Sequence, residues 1–129
     1  MMNLDKIAAK LILLCLLPLV IAACDREQPV GYAADVKPIL DENCVKCHVP
    51  GGKGLEISGF SMASYADLMK GTKFGPMIIA GDAEGSNLVV LMEGRADPSI
   101  SMPHGSGKPI PREDIQTIRT WIEQGAKDN

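Results

Sequence analysis

Cys44-Val45-Lys46-Cys47-His48 places two thiols and an imidazole in five consecutive residues, and this run constrains the chain more than any other feature. Thiols three positions apart lie on neighbouring sides of one helical turn. The C-x-x-C-H pattern is a signature of covalent haem attachment: each thiol adds to one haem vinyl group, and the adjacent histidine offers an imidazole nitrogen to the iron. Other uses of these residues fit less well. A disulfide between Cys44 and Cys47 would close a tiny loop and add little stability. A thioredoxin-like pair belongs in a βαβ setting, and no segment here reads as such. A zinc site takes four ligands, usually as two spaced pairs; only His104 remains as a fourth, and Cys47 directly beside His48 suits a tetrahedron poorly.

Thioether attachment needs export, and the N-terminal sequence provides that context. Lys6 and Lys10 precede the uncharged apolar run 11–23, LILLCLLPLVIAA, which has the layout of a secretory signal. The run is shorter than the roughly 20 residues of a membrane span. It ends Ile21-Ala22-Ala23-Cys24, similar to a bacterial lipobox, in which cleavage precedes a lipid-bearing cysteine. The competing reading is an ordinary signal followed by an unrelated cysteine. Residues 1–23 are therefore read as a signal peptide, 24–31 as a lipidated N-terminus and short linker, and 32–129 as the folded domain. The linker after Cys24, DREQPVG, spans at most ~25 Å when extended and keeps the domain near its membrane. Asp25 resembles the inner-membrane retention signal of enteric bacteria, which favours the periplasmic face of the inner membrane. The cysteines are then all assigned: Cys15 leaves with the signal, Cys24 carries lipid, and Cys44 and Cys47 carry haem.

Cleavage before Cys24 leaves 106 residues, a domain small enough to want a staple. Only two Phe, two Tyr and one Trp are available to its core, and a haem macrocycle would add apolar bulk. The formal charge of −3 becomes −4 when Asp5, Lys6 and Lys10, a net +1, are removed. No basic stripe is present, which argues against nucleic acid as a partner.

Periodicity predicts an all-α domain of few short helices and long loops. The first helix is expected from about Asp35, as cap, to Cys44, with Pro38 in its first turn and Val36, Ile39 and Leu40 at helical spacing. Residues 50–54, PGGKG, read as loop. Ser64 and Asp67 form a capping-box pattern for a helix ending near Gly71. Ser86 is a candidate cap for a helix stopped by Gly94. Residues 95–111, rich in Pro and Gly, read as loop. The last helix starts at Pro111 or Arg112, carries the stripe Ile115, Ile118, Trp121 and Ile122, and stops at Gly125. Its Trp121 and Ile122 are expected to pack against Ile39 and Leu40.

Candidates for the sixth iron ligand are Met62, Met69, Met77, Met92, Met102 and His104. Most methionines in such a chain fill core gaps. Met102 is favoured because it lies in Ser101-Met102-Pro103, on a proline-stiffened loop far downstream of His48. The other ring nitrogen of His48 needs a partner, and the carbonyl of Pro50 is a candidate, unless Pro50 merely starts the turn.

The stretch Val36–Ala126 resembles the small cytochrome c domain common in planctomycete proteins and related bacterial cytochromes. The matching residues are Val36-Lys37-Pro38-Ile39-Leu40, Cys44 to His48, Gly54-Leu55-Glu56-Ile57-Ser58, Ala80-Gly81-Asp82 with Gly85-Ser86-Asn87-Leu88, Met102-Pro103, and Trp121 to Ala126. The resemblance implies a cytochrome c-like fold around one haem c, with His48 and Met102 as axial ligands. The family often has a second proline after Met-Pro; here His104 stands there and is a competitor ligand. An iron with both axial positions filled exchanges electrons and does not turn over substrate. The expected function is single-electron transfer, without enzymatic activity, to membrane-bound redox partners. The alternative is a haem sensor or small-molecule catalyst with a labile sixth ligand.

Overall fold

The computed structural model describes residues 28–104 and 108–129. The signal peptide, the lipid-bearing Cys24 and the first linker residues expected from the sequence lie outside the described residues, as do 105–107 of the loop before the last helix. A π-helical turn, Tyr32–Val36, runs directly into α1 (Lys37–Asn43); α2 (Lys53–Ser58), α3 (Tyr65–Lys70), α4 (Asn87–Met92) and α5 (Arg112–Glu123) follow. No strand forms among the described residues, and two isolated bridges, Thr72 to Gly75 and Ile79 to Asp82, close tight turns. The domain is all-α, with short helices on long loops.

The first helical segment begins at Tyr32, not Asp35, and Gly31 is its N-cap. Asp35 instead reaches back from within the first turn, where its carboxylate accepts the Gly31 N–H at 2.7 Å. Pro38 gives a reason for the π turn. Proline lacks an N–H, and inside a regular α-helix its ring presses on the carbonyl four residues back. Val36 N–H bonds to Gly31 O and Lys37 N–H to Tyr32 O, so the register widens just ahead of the ring. Tyr32, Val36 and Leu40 form the buried stripe, while Ala33 and Ala34 are exposed.

Helix α2 corrects the reading of 50–54 as loop, because Lys53 and Gly54 are helical. None of its residues is fully buried, so it carries no apolar periodicity to betray it. It forms where the motif turn supplies an acceptor: Leu55 N–H bonds to Cys47 O at 3.1 Å. This tertiary bond overrides the poor helix propensity of the preceding glycines. Helix α3 follows expectation. Ser64 accepts the Asp67 N–H, and Gly71 ends the helix at φ 77°, a conformation that favours glycine. Helix α4 has Ser86 at its N-cap position, but the hydroxyl does not cap. It is buried, donating to Asp82 O at 2.7 Å and accepting the Ile79 N–H at 2.8 Å, and so ties the 79–82 turn to the helix.

Helix α5 buries Ile118, Trp121 and Ile122 in the same core as Leu40, with Ile39 and Ile115 partly buried against it. The scarce aromatics converge: Trp121 lies 5.6 Å from the Tyr32 ring and 6.4 Å from Tyr65, and the two tyrosines meet edge to face at 5.1 Å. Trp121 Nε1 donates to Lys127 O and Tyr65 Oη to Ala126 O, so each polar tip is satisfied. A network pairs Arg119 and Arg95 with Glu84 and Glu93, with Arg119 and Glu93 half-buried and Glu84 and Arg95 exposed.

Candidate functional site

The helical turn that ends α1 delivers the motif. Cys44 N–H and Val45 N–H both bond to Leu40 O, and His48 N–H is shared between Cys44 O and Val45 O, so residues 44–48 form a tight turn. Cys44 is half-buried against the core, Cys47 is exposed, and neither is in a disulfide. Burial pushes the Cys44 thiol up to about 11, and the neighbouring Cys47 adds to the shift, so Cys44 is a neutral thiol at ordinary pH.

His48 is buried, at 7% exposure, and its ring is held on three sides. Its Nδ1 lies 3.0 Å from the carbonyl oxygen of Phe60. A carbonyl only accepts, so Nδ1 carries the proton and Nε2 keeps the lone pair. The partner is therefore Phe60, not Pro50 as the sequence suggested. The Phe60 ring meets the imidazole edge to face at 5.4 Å. On another side lies Gly54, where a Cβ would sit 2.8 Å from His48 Cε1, His48 Nε2 and Cys47 O. A Cβ at Gly52 would overlap the Cys47 carbonyl. The two glycines that read as loop punctuation are thus bare because the motif turn packs against their backbone. Met62 N–H bonds to His48 O at 2.7 Å and completes the wrap of residues 52–62 around the motif.

Apart from Met62, which adjoins the motif through its bond to His48 O, the remaining candidates lie on other elements. Met102 is half-buried on the loop after α4, fastened by its N–H to Leu91 O at 3.2 Å. It lines a surface hollow with Met92, Gly94, Pro103 and Pro109, to which no residue of 44–62 contributes. His104, two residues on, is exposed. Met62, Met77 and Met92 are buried in the core, and Met69 packs against it. The structure therefore brings Cys44, Cys47 and His48 together and sets Met102 on a separate element. Among the described residues no group of three or more His, Cys, Asp or Glu side chains is placed to hold a bare metal ion.

The site suits a covalently held haem on its own geometry. Both thiols are unbridged, the contact of Nδ1 with Phe60 O leaves Nε2 as the nitrogen to bind iron, and the absent side chains of Gly52 and Gly54 let the backbone pack against the motif. No curated protein and no solved structure matches the chain. Residues 44–104 match the family model described as Planctomycete cytochrome C, a span that opens on the first cysteine of the motif and closes on His104, two residues past Met102. The chain carries a planctomycete-type cytochrome c domain, a domain of the haem c type.

Proposed function

We propose that this domain holds one haem c through Cys44 and Cys47, that His48 and Met102 would bind its iron, and that it passes single electrons at the periplasmic face of a bacterial membrane. Lipid on Cys24 tethers it there, and its redox partners are membrane-bound proteins. The observation that carries the reading is the 3.0 Å contact of His48 Nδ1 with Phe60 O: the carbonyl can only accept, so Nδ1 donates and Nε2 is the nitrogen left to bind iron. A bound haem would supply a one-electron iron couple. The chain's own residues then do the rest. Phe60 O orients the imidazole and raises its basicity. Gly52 and Gly54 let the backbone close on the motif. The bond from Met102 N–H to Leu91 O fixes the start of the Met-Pro loop. A soft, neutral thioether from Met102 favours ferrous iron and keeps the potential high.

The test is made on exported, haem-loaded protein. The haem stays with the chain through acid–acetone extraction, and the oxidised protein shows a methionine–iron charge-transfer band. Met102→Ala loses that band and, when reduced, binds carbon monoxide; His104→Ala does neither. A wild-type protein without the band that binds carbon monoxide readily would overturn electron transfer in favour of a sensor or catalyst.

A further inference from the structure

We propose that Ser58 is a positioning residue for His48, fixing through one hydroxyl both the carbonyl that holds Nδ1 and the glycine backbone beside the ring's other edge. The inference rests on the reading of His48 as an iron ligand.

Ser58 is the last residue of α2, and its Oγ donates to Gly54 O at 2.5 Å. A serine bonding one turn back along its own helix is common. The second bond is what sets this residue apart. The same oxygen accepts the Phe60 N–H at 3.0 Å. Gly59 ends the helix in the left-handed region, at φ 74°, and such an ending ordinarily hands the next N–H to a carbonyl of the last turn. Here a side chain takes it. The bond pins Phe60 at its N–H, and the carbonyl of the same residue lies 3.0 Å from His48 Nδ1. At the other end of the bridge, Gly54 is the residue whose absent Cβ makes room for Cε1 and Nε2. Ser58 is itself anchored from outside the segment, because its carbonyl accepts the Lys73 N–H at 3.1 Å.

A histidine ligand's outer hydrogen bond sets how basic its iron-binding nitrogen is, and a firmer bond favours ferric iron. Removing the Ser58 hydroxyl frees the N–H of the Gly59–Phe60 peptide, and rotation about the Phe60 Cα then lets the following carbonyl draw away from Nδ1. The reduction potential then rises.

The experiment compares holoproteins of wild type, Ser58→Ala, Ser58→Thr and Ser61→Ala, the last removing a hydroxyl whose oxygen accepts the exposed Ala63 N–H. Potential is read by redox titration, the His48 ring N–H by paramagnetic proton NMR, and stability by melting. Ser58→Ala is expected to raise the ferrous-to-ferric ratio at fixed potential about threefold, about 28 mV on the scale of 59 mV per tenfold for one electron. It also shifts the Nδ1 proton and hastens its exchange. Ser58→Thr restores the wild-type values, and Ser61→Ala leaves them unchanged. If Ser58→Ala yields no holoprotein, Ser58→Cys replaces it, with a smaller shift in the same direction. Equal potentials and ring N–H signals in wild type and the hydroxyl-deleted variant overturn the positioning role. Absence of any iron-bound histidine signal in wild type itself overturns the underlying ligand assignment instead.

Discussion

Gly54→Ala is the sharpest test of the motif's packing, because two effects of opposite sign meet at one position. Gly54 sits in α2, and its φ is not in the left-handed region, so an alanine there is conformationally easy. On propensity alone Ala in a helix interior is better than Gly by about 0.8–1.0 kcal/mol. The new methyl, however, would lie 2.8 Å from Cys47 O, His48 Cε1 and His48 Nε2. Two of those atoms belong to a ring already fixed by Phe60 O, and the third is backbone, so none swings away cheaply. Forcing a methylene-sized group into such packing costs about 1–3 kcal/mol. The overlap outweighs the propensity gain, and the variant should be less stable by about 1 kcal/mol. For a domain of this size that lowers the melting temperature by roughly 4–8 °C. The assay is thermal unfolding of the haem-loaded protein with haem content and visible spectrum measured in parallel, and Lys53→Ala in the same helix serves as an exposed control. A variant that melts higher than wild type with an unchanged spectrum would refute the close approach of Gly54 to His48.

Trp121→Ala removes the centre of the aromatic cluster, and the residue is 1% exposed, so a loss of about 3–5 kcal/mol is expected from large-to-small truncation. An unchanged melting curve would put Trp121 outside the core. Cys24→Ser should move the protein from the membrane to the soluble fraction with its haem domain intact, because each buried lipid CH₂ contributes about 0.8 kcal/mol. Persistent membrane association of that variant would point to an uncleaved anchor.

Local rules made much of this fold legible. Ser64 and Asp67 announced α3 because a capping box is written within four residues, and the Ile118-Trp121-Ile122 stripe announced α5 because its burial repeats with the helical period. C-x-x-C-H announced its chemistry because its geometry is confined to one turn. What stayed hidden depends on partners distant in sequence. Helix α2 is tied to Cys47 O and has no fully buried side chain, so nothing in 53–58 repeats. The partner of His48 Nδ1 lies twelve residues on, and a backbone carbonyl leaves no trace in residue type. Gly52 and Gly54 looked like turn glycines, because the sequence does not show what approaches them. The register change ahead of Pro38 was half visible: the proline was plain, but the π turn that accommodates it was not.

The domain draws its order from two separate sources, and this bears on how the variants should be read. Around the aromatic cluster the residues at and just before the start of the first helical segment are stitched to those after the last helix: Ala33 N–H bonds to Asn129 O, Tyr32 N–H to Asn129 Oδ1, and Val30 N–H to Gln124 Oε1. Burial and these bonds make that end the one whose loss unfolds the whole. The wrap of residues 52–62 contributes Phe60 and Met62 to the core and is otherwise held by backbone bonds to Cys47, His48, Val49 and Lys73. Segments with few buried contacts open locally at lower free energy than the core. A change in the wrap therefore acts first on the histidine and only second on the fold, whereas a change at Trp121 acts in the reverse order. Potential and melting temperature should accordingly separate between Ser58→Ala and Trp121→Ala. A Ser58→Ala protein that lost stability on the scale of Trp121→Ala with no change in potential would place the hydroxyl in the scaffold, away from control of the ligand.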